Sequence, residues 1–321
     1  MAAGRSGIYA SWPYPGSVTS SSEADLGQQR LRPVAERARP GSTSAASVTV
    51  VSSHGTYRRK PDVVSTEEPL EIRVADQPVA VTMRTPGHDF ELAVGYLFTE
   101  GILRAPTDLR EVRYCTKGLG EGVAQEYNIA SVELYCDVDP SLFRRATVTS
   151  SSCGLCGTDS IDHIASVVEP LDILDGPRIS AETLLAMPET LRTKQPQFSK
   201  TGGLHGVGLF DSSGQALVVR EDVGRHNALD KVIGERFLRA SKSEPFALTP
   251  LVAVVSGRVS FEIVQKAAMA RVAWLVAVGA PTSLAISAAH TLGITLVGFV
   301  NGSSANVYSH PERLIAPDMA S

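Results

Sequence analysis

The chain has 321 residues, of which 43% are hydrophobic and 20% charged, and its net charge is −4. These values are typical of soluble globular proteins and argue against nucleic-acid binding. No apolar run approaches the ~20 residues that cross a bilayer, and the first residues lack the features of a secretory signal, so we expect a cytoplasmic protein without membrane contact whose cysteines are thiols.

The N-terminal half is predicted to be a tail followed by strands. Residues 1–45 are rich in Ser, Pro, Gly and Arg, which predicts a disordered tail. Residues 46–150 form a β-rich part, in which two alternating stretches flank a turn at Ala75–Gln77. The run HDFELAVGYLFTEGIL has helical spacing and ends at Gly101. Further strands are predicted at 111–115, 125–138 and 145–149.

The C-terminal half is predicted to be a layered α/β sheet. Residues 151–200 hold a cysteine loop and two connecting helices, at about 158–168 and 180–193. Residues 201–315 form an α/β cofactor-binding part, which opens with two strands joined through a turn at 211–215. The helices that follow are predicted at 226–239, 260–271 and 282–292. Three strand–helix–strand units require parallel strands, and ligands of such sheets bind beyond the carboxyl ends of the strands.

The segment SSSCGLCGTDS has two residues between Cys153 and Cys156, in a permissive loop. A structural zinc site needs four ligands, and Cys115 and Cys136 stand alone in strand-like runs, where we predict buried packing. A thioredoxin-type pair would lie at the start of a helix that follows a strand in a βαβ unit, whereas this loop is Gly-rich and precedes the α/β half. The remaining interpretation is an exposed thiol that accepts a sulfur atom and passes it on. The spacing alone leaves the choice open.

Two motifs place polar residues on strands. TGGLHGVGLF sets His205 among four glycines, which indicates either close approach of a ligand or a tight strand–helix contact. REDVGRHNALDKVIG indicates either a polar ligand site or a solvated, ion-paired helix start. Its Asp230 and Lys231 are adjacent and cannot share one helix face.

Three successive strand ends carry small residues that lead into helices or loops. In SGRVSFEIVQKAA, Arg258 suits a phosphate, whereas Glu262 and Lys266, four residues apart, are expected to stabilise the helix. GAPTSLAISAA begins a helix near Thr282, and GFVNGSSANVYSHP is a Gly-Ser-rich loop. This arrangement favours a nucleotide or another phosphorylated ligand. Without a P-loop or dinucleotide fingerprint, ATP hydrolysis and NAD binding are disfavoured.

In this order, the motifs resemble the formate dehydrogenase accessory sulfurtransferase family (FdhD) from about residue 47 to 315. The resemblance implies a sulfur carrier that accepts sulfur from a cysteine desulfurase as a persulfide on Cys153, with Cys156 assisting. It implies transfer of that sulfur to the bis(molybdopterin guanine dinucleotide) molybdenum cofactor before the cofactor enters formate dehydrogenase. It also implies a homodimer and a cytidine deaminase-like α/β fold with an added N-terminal β-rich part.

The loop Phe299–Ser304 corresponds to a cofactor-binding segment of that family. The segment often carries a basic residue, but Asn301 and Ser304 occupy those places here, so Arg258 or Arg225 is expected to supply the charge. The predicted cofactor-binding residues are His205, Arg225, His226, Arg258, Thr282, Phe299, Val300, Asn301, Gly302, Ser303 and Ser304.

Two alternatives remain open beside the sulfur carrier. The first is a non-catalytic molybdenum-cofactor chaperone, which delivers the cofactor without handling sulfur. The second is a nucleotide hydrolase on the deaminase-like fold, which zinc and nucleoside turnover would support. The H-x-E and P-C-x-x-C zinc signature of deaminases is missing, so neither zinc nor deaminase activity is predicted.

Overall fold

A computed structural model describes five stretches of the chain, residues 41–55, 57–115, 127–135, 168–240 and 245–315. The predicted tail up to residue 40, the strand at 145–149, the loop with Cys153 and Cys156, and the helix predicted near 158–168 up to residue 167 lie outside these stretches. The boundaries predicted for the four parts of the chain stay predictions. No helix in the described stretches is long and apolar enough to cross a membrane.

Strands and helices alternate along most of the described chain. The strands are β1 (Thr43–Val51), β2 (Tyr57–Ser65), β3 (Glu68–Val74), β4 (Gln77–Arg84), β5 (Leu109–Tyr114), β6 (Ile129–Leu134), β7 (Ile179–Ser180), β8 (His205–Phe210), β9 (Ala216–Asp222), β10 (Val252–Val255), β11 (Trp274–Ala277), β12 (Thr295–Gly298), β13 (Asn306–Val307) and β14 (Leu314–Ile315). The α-helices are α1 (Asp89–Thr99), α2 (Ala181–Thr193), α3 (Pro196–Thr201), α4 (Arg225–Arg239), α5 (Phe261–Met269) and α6 (Ser283–Thr291).

The larger sheet has six strands in the order β13-β12-β11-β10-β8-β9. β10, β11 and β12 pair in parallel, and all of their residues are buried, as predicted for strands covered on both faces. β8 runs antiparallel to both β10 and β9, so β9 and β10 point the same way. The three predicted strand–helix–strand units are confirmed, and the first of them crosses over β8.

The smaller sheet has four strands in the order β4-β3-β6-β5. β3 and β4 form the predicted hairpin, and its turn residues Ala75 and Asp76 have left-handed φ angles of 48° and 65°. Such angles match the turn to the twist of the strands. The predicted mixed α/β fold is confirmed, whereas the likeness to cytidine deaminases stays a prediction.

Two glycines bring helices α1 and α4 into backbone contact. A Cβ atom on Gly95 of α1 would overlap the carbonyl oxygen of Asp230, and one on Gly234 of α4 would overlap that of Glu91. The buried hydrophobic residues form one continuous cluster that includes both sheets and this helix pair. The tight crossing therefore fixes how the N-terminal sheet lies on the C-terminal part.

Gly234→Ala should lower the free energy of unfolding by about 2–3 kcal/mol, because the added methyl group forces α4 away from α1. Urea denaturation of the full chain measures the change. Ser287→Ala on the exposed face of α6 is the control and should stay within about 0.5 kcal/mol of wild type. Equal stability of wild type and Gly234→Ala would contradict the close packing.

Candidate functional site at the strand ends

The loops that follow β10, β11 and β12 lie against one another and form what we call the strand-end surface, residues 256–260, 279–282 and 299–304. A Cβ on Gly279 would lie 2.9 Å from the carbonyl oxygen of Gly257. The amide of Phe299 donates to the carbonyl of Gly279 over 3.2 Å. The carboxyl ends of parallel strands meet at one edge of a sheet, so Arg258, Thr282 and the 299–304 loop come together here.

His205 and Arg225 flank the same surface from β8 and α4. A Cβ on Gly257 would lie 3.3 Å from Nδ1 of His205 and 3.8 Å from Cδ of Arg225. Burial lowers the pKa of His205, and its neighbours Arg225, His226 and Arg258 lower it further, whereas Asp222 opposes the effect. The imidazole is therefore mainly neutral at neutral pH and offers one donor and one acceptor.

His226 links the beginnings of α4 and α5. Its Nε2 lies 2.9 Å from Oε2 of Glu262 and 3.1 Å from Oγ of Ser260. A nucleophile–histidine–acid relay uses both ring nitrogens, whereas both contacts here are made by one nitrogen. The arrangement therefore positions the helix starts and does not activate Ser260.

Lys266 does not form the predicted helix pair with Glu262. Its Nζ lies 2.9 Å from Oδ2 of Asp230 and 3.2 Å from Oε1 of Glu100, and the lysine is buried. The sequence could not predict these ion pairs, because the two carboxylates come from other helices, Asp230 from α4 and Glu100 from the end of α1.

Most charges of the REDVGRHNALDK motif point into the protein. Nζ of Lys231 lies 2.6 Å from Oδ2 of Asp222, and both side chains are at most 1% exposed. Asp222 also accepts hydrogen bonds from the amides of Thr85 and Gly224. The motif is thus neither a solvated helix start nor, for these residues, a ligand site. Two residues of the motif do border the strand-end surface, Arg225 beside Gly257 and His226 through its contact with Ser260.

The glycines around His205 serve internal packing. A Cβ on Gly206 would overlap the side chain of Gln195, and one on Gly208 would lie 2.7 Å from the ring of Phe210. This agrees with the tight strand–helix contact, the second of the two interpretations of the motif. His205 itself faces a cleft of about 460 Å³ between α2, α3 and β8. The cleft is lined by Pro188, Leu191, Arg192, Gln195, Phe198, Gly202, Gly203, Leu204, His205, Ser256 and Val278.

Sequence patterns missed the helical wall of this cleft. The guanidinium carbon of Arg192 lies 4.5 Å from the centre of the Phe198 ring, and Gln195 between them is buried. No spacing or motif distinguishes these residues from an ordinary helix surface. Only the tertiary fold brings them beside His205.

In the 299–304 loop, internal hydrogen bonds occupy most of the polar groups. Oδ1 of Asn301 accepts from the amides of Ser303 and Ser304 over 3.1 and 3.0 Å. Val300 is buried, and Gly302 has a left-handed φ of 84° that the turn requires. The loop amides therefore hold the turn in shape and do not form an open anion cradle.

Three predicted residues differ in what they offer a ligand. Phe299 is 48% exposed and has a left-handed φ of 55°, a strained conformation that presents an aromatic face at the strand end. The hydroxyl of Thr282 caps α6 by accepting from the amide of Ala285 over 3.3 Å. Arg258 is exposed and makes no ion pair within the described stretches. Phe299 and Arg258 are thus open to a ligand, whereas the hydroxyl of Thr282 is already engaged.

The comparison with known proteins decides the family. A sequence model described as the FdhD/NarQ family matches residues 65–315, more than half of the chain. The chain belongs to the FdhD/NarQ family. The resemblance stated from the motifs is therefore confirmed.

Relatives of this FdhD/NarQ protein match along most of their own length. The sulfur carrier protein FdhD of Mycolicibacterium paratuberculosis is 47% identical over 274 residues, which cover 85% of this chain and 98% of the relative. The sulfur carrier protein FdhD of Streptomyces coelicolor is 45% identical, with 81% and 92% covered. A formate dehydrogenase accessory protein from Desulfotalea psychrophila has the same fold, with a TM-score of 0.64, 23% identity and coverage of 85% of this chain and 99% of that chain.

Proposed function

We propose that this chain is a sulfur carrier, a sulfurtransferase that acts in the maturation of formate dehydrogenase. The observation that carries the proposal is the extended similarity, at 42–47% identity, to proteins named sulfur carrier protein FdhD. A carrier needs an accessible thiol. Cys115 is 5% exposed and packs inside the protein, so it is unsuited to exchange with other proteins. Cys153, in the Gly-rich loop outside the described residues, is the proposed carrier.

Loading is a thiolate exchange at sulfur. The Cys153 thiolate attacks the outer sulfur of a persulfide on a cysteine desulfurase, and a new S–S bond forms on Cys153 while the old one breaks. The desulfurase cysteine leaves as a thiolate, so neither partner is oxidised overall. This step requires no metal and no general acid from the strand-end surface.

Release uses the second cysteine of the pair. The Cys156 thiolate attacks Sγ of Cys153, the Cys153–Cys156 disulfide forms, and the outer sulfur leaves as hydrosulfide toward molybdenum. An external dithiol then reduces the disulfide and restores both thiols. Only two residues separate the cysteines, so the Cys156 thiol stays close to the Cys153 persulfide. This proximity favours transfer of the outer sulfur to molybdenum over its loss to solvent.

The sulfur acceptor in this proposal is the molybdenum cofactor with its guanine-nucleotide ends bound at the strand-end surface. Arg258 is free to contact phosphate oxygens, and Arg225 adds a second positive charge beside His205. The exposed ring of Phe299 can stack on a planar base, and neutral His205 can donate or accept a hydrogen bond. These features support a nucleotide ligand, although the loop amides themselves are engaged.

Arg258→Ala should weaken the binding of GDP, a fragment of the cofactor, by about tenfold, because a charge-assisted contact to phosphate is lost. Isothermal titration calorimetry measures the change, and Arg258→Lys should recover only part of it, since a lysine lacks the planar fork. Arg104→Ala, at an exposed arginine of another loop, is the control. Unchanged GDP affinity in Arg258→Ala would remove this residue from the site.

The proposed function is tested in cells that lack this protein. Formate dehydrogenase made in such cells should be inactive for want of its sulfur ligand, and expression of the full chain should restore the activity. Active formate dehydrogenase in the absence of the chain would refute the proposal. Partners expected in this proposal are a cysteine desulfurase, formate dehydrogenase and a second copy of the chain, all in the cytoplasm.

A further inference from the structure

His205 lies where the strand-end surface meets the cleft between α2, α3 and β8. Its side chain is half-buried, and neither ring nitrogen has a hydrogen-bond partner within the described stretches. A Cβ on Gly257 would lie 3.3 Å from its Nδ1, so the ring lies against the first loop of that surface. An imidazole with both nitrogens open can gain a proton when a charged group arrives beside it.

The acidic groups near His205 already have partners. Asp222 lies opposite His205 in the β8–β9 register, and its Oδ2 lies 2.6 Å from Nζ of Lys231. The same carboxylate accepts two hydrogen bonds from backbone amides. At the beginning of α5, Oε2 of Glu262 lies 2.9 Å from Nε2 of His226. Neither carboxylate is therefore free to balance the charge of a protonated His205.

Three arginines surround His205 on its other sides. They are Arg192 of α2, Arg225 of α4 and Arg258 of the loop after β10. None of the three forms an ion pair with another described residue, and Nε of Arg225 is buried without a hydrogen-bond partner among those residues. Positive charge thus collects around the imidazole without a carboxylate that offsets it.

This arrangement opposes protonation of His205 in the absence of an anionic ligand. Burial lowers the pKa of His205. Arg225, His226 and Arg258 lower it further, against an opposing effect of the carboxylate on β9. An anion bound beside Arg258 reverses the balance, because it supplies negative charge and accepts a hydrogen bond from the second ring N–H of an imidazolium. Anion binding and proton uptake then favour each other.

We propose that His205 couples ligand binding at the strand-end surface to the uptake of a proton. The proton comes from solvent and adds to the free ring nitrogen when an anionic ligand binds. The affinity for the anion rises as the pH falls from the higher pKa of His205 in the complex to its lower pKa in the free protein, and it is constant outside that interval. The inference rests on the proposed phosphate site and goes beyond it, because it makes that site depend on pH.

The test uses diguanosine pyrophosphate as the anion. Both of its phosphates are diesters, so its charge stays constant, whereas a terminal phosphate such as that of GDP takes up a proton near about pH 6. Isothermal titration calorimetry with the full chain should show about tenfold tighter binding near pH 5.5 than near pH 8. In buffers of different ionisation enthalpy, the binding enthalpy should reveal an uptake of about half a proton per ligand near pH 6.5.

His205→Asn keeps hydrogen-bonding groups but takes up no proton. Its affinity should match wild type near pH 8 and stay within about twofold of that value down to about pH 5.5. His54→Asn, in the exposed turn between β1 and β2, is the control and should keep the full pH dependence. Circular dichroism verifies folding at each pH, and His205→Gln replaces the asparagine variant if that one fails to fold.

The possible failures are distinguishable. Wild-type binding that does not change with pH would overturn the inference alone. Proton uptake that persists in His205→Asn would also overturn it, because the proton would then reside on another group such as His226. Failure of wild type to bind diguanosine pyrophosphate at any pH would overturn the inference together with the proposed nucleotide site.

Discussion

Cys153→Ala is expected to reduce the activation of formate dehydrogenase by about 100-fold or more, since the atom that carries the sulfur is removed. Cys153→Ser should be equally inactive, because a hydroxyl forms no persulfide. The measurement is formate oxidation by extracts of cells that produce each variant as their sole copy. Cys136→Ala, at a cysteine predicted to serve packing, is the control and should retain activation.

The same variant separates the carrier from the cofactor chaperone. A chaperone that only binds and delivers the cofactor does not need the thiol, so Cys153→Ala would still activate formate dehydrogenase. GDP binding by Cys153→Ala should remain at the wild-type level in either case, which shows that the strand-end surface is intact. Retained activation would therefore favour the chaperone over the carrier.

Lys266→Met should lower the free energy of unfolding by about 3–5 kcal/mol, because it leaves two carboxylates buried without their counter-charge. Asp230 is 1% and Glu100 13% exposed in this cluster. Burial lowers the pKa of Lys266, but the carboxylates of Asp230 and Glu100 outweigh it and raise that pKa above its ordinary value. The stabilisation is therefore complete at neutral pH and is lost only as the pH rises through the raised pKa.

Thermal or urea denaturation measures the loss, which corresponds to a fall in melting temperature of roughly 10 °C for a domain of this size. The control is Arg239→Met, since Arg239 is 62% exposed in its pair with Glu235 and should contribute less than about 1 kcal/mol. A loss below about 1 kcal/mol in Lys266→Met would contradict the account of a tightly coupled buried cluster.

The sequence predicts those parts of the fold whose pattern is local. β10, β11 and β12 are continuous apolar runs because helices cover both faces of the sheet, and this burial is visible in composition. The turn at Ala75 and Asp76 is marked by its flanking alternation. The sequence pattern does not predict β2 as a separate strand. Its charged residues and its proline protect an exposed edge, and they interrupt the alternation that marks a strand.

The partners of charged residues could not be predicted. Asp230 and Lys231 are neighbours in the sequence, yet one pairs with Lys266 on α5 and the other with Asp222 on β9. Those contacts depend on the close crossing of α1 and α4 and on the β9–α4–β10 unit that crosses over β8. No local sequence pattern encodes either feature. The same limit applies to the candidate site, where topology predicted that the strand-end loops meet but could not show that Asn301 and Thr282 are engaged internally.

The most direct test of the sulfur-carrier proposal is mass spectrometry of the full chain after incubation with a cysteine desulfurase and cysteine. Wild type, Cys153→Ala and Cys156→Ala are compared under non-reducing conditions. One added sulfur on the Cys153 peptide of Cys156→Ala, which lacks the releasing thiol, is the predicted result; it should be absent from Cys153→Ala and removed by a reducing agent, and wild type should show either this sulfur or the Cys153–Cys156 disulfide that its release leaves. Active desulfurase that leaves no sulfur on this peptide would contradict the proposal.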